Sequence, residues 1–151
     1  MNFFKTILRK LRTFTKIPWY QKLLFAEAVV TSCIVKFTLL FLPFGIVVKW
    51  LGTTNAEELR SLSKEQIVLV NNLRFAIKLC DRYVPWPTEC YTRSLTAKLI
   101  LKRRNQSSTI YFGFCRDNSG KLTGHAWLKS SGLVVTGFCD FSKFQVHSVF
   151  S

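Results

Sequence analysis

Phe3, Phe4, Ile7, Leu8, Leu11 and Phe14 recur at helical spacing, with Lys5, Arg9, Lys10, Arg12 and Lys16 between them. This pattern predicts a basic amphipathic helix. Its apolar face either packs on the rest of the chain or lies in an anionic membrane interface. Leu23 to Val48 is the most apolar stretch, and bilayers are crossed by about 20 such residues. Glu27 and Lys36 fall inside it, however, and Pro43-Phe44-Gly45 interrupts it. Charges are costly in lipid, so the expectation is a helix over about Gln21 to Leu42, packed in protein or docked on a partner. A membrane span is the alternative.

Gly52-Thr53-Thr54-Asn55 reads as a linker, separating a helical N-terminal segment (1–52) from a second unit (53–151). Ser63-Lys64-Glu65-Gln66 then has the form of a capping box. Ile67, Val70, Leu73, Ile77 and Cys80 follow as one apolar stripe, predicting a helix to about Arg82. Pro85 and Pro87 end that helix. Thr88 is the expected N-cap of the next, an amphipathic helix running to Lys102 with Cys90 in its first turn. Beyond it the period shortens. Strands are predicted at Ser108 to Phe114, Leu122 to Lys129, Leu133 to Thr136 and Phe144 to Phe150, with turns at Arg116 to Gly120 and Ser130 to Gly132. Helices followed by an antiparallel meander give an α+β class.

The 151 residues carry a formal charge of +14, which favours an anionic counterpart: nucleic acid, lipid headgroups or an acidic peptide. The basic residues are dispersed and no nucleic-acid motif frames them, so nucleic acid is not the expected partner. Five cysteines without paired spacing indicate neither a disulfide framework nor a zinc site, and no metal is expected. The N-terminus lacks an uninterrupted apolar run and a small-residue cleavage site, so secretion is not expected. A cytoplasmic protein, at most at the inner membrane surface, fits best.

Cys90 stands apart from the other cysteines. It lies near a helix N-terminus among polar neighbours, after a rigid Pro-Trp-Pro turn, and helix dipoles and imidazolium groups lower a thiol's pKa. His125 begins a strand on which it shares a face with Trp127 and Lys129, whereas Ala126 and Leu128 share the other. A thiol nucleophile with an imidazole base is the chemistry this pair suggests. Asp140, the one carboxylate after His125, is the candidate third group.

Pro85-Trp86, Cys90-x-x-Arg93-Ser94-Leu95-x-Ala97, Leu101-x-Arg103-Arg104, Tyr111-x-Gly113, His125-Ala126-Trp127-Leu128 and Val134-Val135-Thr136-Gly137 together resemble the lasso-peptide maturation proteases, the B proteins. The likeness reaches loosely into the N-terminus through Ala26-Glu27-Ala28 and Leu42-Pro43-Phe44. It implies a transglutaminase-like, papain-type fold and a leader peptidase passing through an acyl-enzyme, with Cys90 as nucleophile and His125 as base. It also implies partners: the precursor's leader, a small leader-recognition protein and an asparagine-synthetase-like macrolactam cyclase. ATP serves that cyclase, and no cofactor is expected on this chain. Many relatives carry aspartate near Gly137. Here either Asp140 takes over, or a carbonyl or water orients the imidazole. The competing readings are a transglutaminase-like acyl transferase and a non-enzymatic membrane-associated scaffold.

Overall fold

The structure, a computed structural model, describes residues 17–49, 51, 63–116 and 119–151. The expected amphipathic helix at Phe3 to Phe14 and the linker at Gly52 to Asn55 lie outside the described residues, as does part of the Arg116 to Gly120 turn.

The long apolar segment forms helix α1, Trp19–Phe41, which stops where Pro43 bars a further turn, and a short α2 follows, Phe44–Lys49. Leu24, Ala28, Thr31, Ser32 and Val35 make the buried stripe of α1, which packs along α3 (Lys64–Tyr83) and α4 (Cys90–Arg103). The two charges inside the apolar stretch both turn to the domain. Glu27 accepts from Arg103 and Arg104, and Lys36 donates to both carboxylate oxygens of Glu89, at 3.0 and 2.9 Å.

Helix α3 has the expected capping box: the Ser63 hydroxyl accepts from the Gln66 amide at 3.2 Å, and the Gln66 side chain accepts from that of Ser63 at 3.1 Å. Its stripe buries Val70, Leu73, Ala76, Ile77 and Cys80. Helix α4 departs from expectation at its start. Glu89, not Thr88, occupies the N-cap position, because the Thr88 hydroxyl is donated to the Asp81 carboxylate instead. Nor does α4 show one apolar face and one wet one. Wedged between α1, α3 and the sheet, it buries Thr92, Ser94, Thr96 and even Lys98 beside Leu95, Ile100 and Leu101. The Lys98 ammonium donates to the Ser108 carbonyl, and burial, with Lys102 nearby, lowers its pKa to about 8.

The strands are β1 (Thr109–Arg116), β2 (Leu122–Ser130), β3 (Leu133–Thr136) and β4 (Gln145–Phe150). All pairings are antiparallel, in the order β3-β2-β1-β4, so the last strand breaks the expected meander by pairing with β1 rather than β3. Gly137 starts that detour. Its φ is +73°, and a Cβ there would lie 2.3 Å from the Ala126 carbonyl oxygen, so only glycine fits. From Gly137 the chain crosses the outer face of the sheet, laying Phe141 and Phe144 on Trp127 at ring distances of 5.4 and 6.2 Å. The crossing buries Trp127 and gives the free edge of β1 a partner. Ala126 and Leu128 face the helices with Ile110 and Phe112, while His125, Trp127 and Tyr111 face the crossing segment.

The Glu27 cluster ties the apolar helix to α4. A hydrogen bond from Arg104 holds the Glu27 carboxyl below its ordinary range. Both arginines are partly exposed, so screening keeps the contribution to about 1 kcal/mol. Glu27→Gln is therefore expected to lower the thermal unfolding midpoint by about 2–4 °C at pH 7. A depressed carboxyl stabilises above its unfolded pKa and loses that effect as pH falls through the folded value. The gap between wild type and variant, followed by circular dichroism, is expected to close on acidification.

Candidate active site

Cys90 is the first residue of α4, and no side chain caps the helix there. The adjacent Glu89 carboxylate could have done so, but Lys36 draws it away and holds its pKa below the ordinary range, while the Thr92 hydroxyl donates to it at 3.4 Å. The first-turn N–H groups of a helix lack intrahelical acceptors, and here the N-cap side chain does not take them.

Two contacts fix this end of α4 against β2. Four residues beyond Cys90 on the same helical face, the Ser94 hydroxyl donates to the Ala126 carbonyl at 3.2 Å and lies 2.9 Å from the Thr136 hydroxyl. Tyr91 stacks on Phe112 at 5.6 Å and meets Phe44 edge-on at 5.7 Å. Its hydroxyl lies 2.6 Å from where a Cβ on Gly124 would stand. Gly124 and Ala126 flank His125, so these contacts set the first turn of α4 against the stretch of β2 that carries His125, whose ring lies on the other face of the sheet with Trp127 and Phe144.

The His125 ring turns toward the β3 side, where Nε2 lies 3.1 Å from the Gly137 carbonyl oxygen. A carbonyl only accepts, so Nε2 carries the proton, and in the neutral ring Nδ1 is left as an acceptor. Phe144 and Trp127 pack on the ring at 5.1 and 6.1 Å. Strand β3 ends at Thr136 opposite Leu128, which leaves the Gly124 to Ala126 edge of β2 uncovered by strand pairing on that side.

The structure does not join Asp140 to this pair by a hydrogen bond. Its carboxylate accepts from the Ser142 hydroxyl at 2.6 Å and the Ser142 amide at 3.3 Å, capping a 3-10 turn at Phe141–Lys143, and pairs with Lys143 at 3.5 Å. Burial pushes the Cys139 thiol pKa up, and the neighbouring charges of Asp140, Cys90 and Cys115 add to the shift. His147 lies on β4, its Nδ1 bonded to the Ser148 hydroxyl at 2.7 Å, and lines an open cleft together with Tyr91 and Gly124.

An open cleft of about 480 Å³ adjoins the seam, walled by Phe44, Tyr91, Phe112, Phe114, Leu122 and Gly124 among others. Cys90 and His125 are not in its wall, but their chain neighbours Tyr91 and Gly124 are. Sequence reasoning missed Tyr91, Ser94 and Gly124 as positioning residues. Their signal was faint: small or polar residues at sites a core would otherwise fill with aliphatic ones.

Over residues 38–149 the sequence matches the Transglutaminase-like superfamily, and the chain belongs to it. Members of that superfamily generally use cysteine-dependent catalysis, as cysteine proteases or acyltransferases. No curated protein and no solved structure gives a match.

The close approach at Gly124 is directly testable. Gly124→Ala drives a methyl into the Tyr91 hydroxyl, which the Phe44 and Phe112 rings hold in place. Overpacking of this kind costs about 1–3 kcal/mol, and denaturant titration is expected to show it. The next atom of Tyr91 is 3.7 Å away, at ordinary contact, so adding Tyr91→Phe is expected to restore most of the loss.

Proposed function

We propose that the protein is a cysteine peptidase that removes the leader from a ribosomally made lasso-peptide precursor. Two observations support the reading: α4 starts at Cys90 without a side-chain cap, and the His125 Nε2 is tied to the Gly137 carbonyl, leaving Nδ1 open. The family membership and the sequence resemblance support it.

In this reaction His125 Nδ1 takes the Cys90 proton, and the thiolate forms a bond to the scissile carbonyl carbon. The carbonyl electron pair moves to oxygen, where backbone N–H groups at the start of α4 stabilise the oxyanion. Collapse breaks the carbon–nitrogen bond, and the proton on His125 passes to the departing amine. Water then attacks the thioester, His125 accepts its proton, and the thiol is regenerated with a free leader carboxylate. The Gly137 carbonyl does the work that a carboxylate does in other triads: it fixes the tautomer and the ring direction. The aromatic cleft beside Tyr91 and Gly124 accommodates an apolar side chain near the cut site. Delivery of the leader falls to a small recognition protein. The freed amine passes to an asparagine-synthetase-like cyclase, which consumes the ATP.

Cys90→Ala is expected to lower turnover by about a thousandfold or more with an unchanged circular dichroism spectrum. Product masses separate the two chemistries open to this family: hydrolysis adds water to the leader fragment, whereas acyl transfer adds an amine. A wild-type-like rate in Cys90→Ala, with the partners present, removes this thiol from the mechanism.

The orienting group has its own test. Gly137→Ala places a Cβ against Ala126 and Trp127 and shifts the carbonyl that holds His125, so activity is expected to fall by about 10²-fold or more. Asp140→Asn is expected to change it by less than about threefold, because that carboxylate is engaged with Ser142 and Lys143. A loss in Asp140→Asn as deep as in His125→Asn assigns the third role to Asp140 instead.

A further inference from the structure

The face of α1 turned away from the domain is apolar along its length. Leu23, Val30, Ile34, Phe37 and Phe41 follow one another at spacings of seven, four, three and four, and each is more than half exposed. Phe37 and Phe41 stack on each other at 6.2 Å, and Trp19 at the helix start is 71 % exposed. Contiguous apolar surface of this extent marks a contact.

We infer that α1 lies flat in the surface of an anionic lipid bilayer, apolar face down, while its other face stays docked on the domain. By length and composition alone the helix could cross a membrane. Crossing would strip Glu27 from Arg103 and Arg104, strip Lys36 from Glu89, and uncover Leu24, Ala28 and Val35. Those attachments keep the helix with the domain and leave only its outer face for lipid. Charge selects the occupant. The chain carries +14, and five of its basic residues fall in the sixteen positions ahead of α1. Anionic headgroups attract that charge, whereas a second copy of the chain repels it. A tryptophan at the helix start suits the headgroup level, where amphipathic rings settle. The family match covers residues 38–149, and most of α1 precedes it.

The test uses the full chain and vesicles of phosphatidylcholine, with and without phosphatidylglycerol, in co-sedimentation at low and high salt. Wild type is expected to bind the anionic vesicles at least about tenfold more tightly than the neutral ones, less so at high salt. The double variant Phe37→Asp/Phe41→Asp, on exposed positions, is expected to lose at least about tenfold in binding while keeping its helix content. Wild type that fails to bind, or a double variant that binds equally well, overturns the inference. So does wild-type protein that resists alkaline extraction, because it then spans the bilayer. A wild-type dimer in solution that the double variant breaks into monomers assigns the face to a second copy and overturns it too.

Discussion

One buried hydroxyl sets the geometry on which the rest depends. Ser94 is fully buried, so its oxygen must be paired, and it is shared between a β2 carbonyl and a β3 hydroxyl. That requirement fixes both the rotation of α4 about its axis and its height along the strands. The residue one turn earlier, Cys90, and the strand residue beside Ala126, His125, inherit their positions from it. An aliphatic side chain at 94 would fill the space and leave the Thr136 hydroxyl without this partner.

The sheet is covered on its second face by an economical device. A strand of four residues, a glycine at positive φ and a crossing segment with two phenylalanines together reach the far edge, seal Trp127 and carry a backbone carbonyl to the His125 ring. Folding and the proposed chemistry thus draw on the same few residues. The carbonyl that orients the imidazole belongs to the glycine that makes the turn.

Much of this was legible in the chain. The capping box at Ser63, the extents of α1 and α3, all four strands and the α+β class follow from period and punctuation alone. Three features did not. Thr88 is replaced as the cap by Glu89 because Asp81, seven residues earlier in the last turns of α3, takes its hydroxyl once the Pro85–Pro87 turn folds back. The position of β4 depends on which sheet edge is free, and no local pattern records that. The immersion of α4, Lys98 included, arises from three neighbours closing on it at once. At the site, Cys90 and His125 stood out by residue type. The ring's partner did not, since any residue supplies a carbonyl.

The grip of Lys36 on Glu89 reaches further than helix docking. Glu89 is bonded in sequence to Cys90, and Trp86 in the preceding turn donates to Ser32 of α1 at 3.3 Å. The apolar helix therefore holds the short stretch ahead of the thiol at two points. A displacement of α1 by whatever it rests on would tilt that stretch like a lever, and the sulfur would be re-aimed without any contact to Cys90 itself.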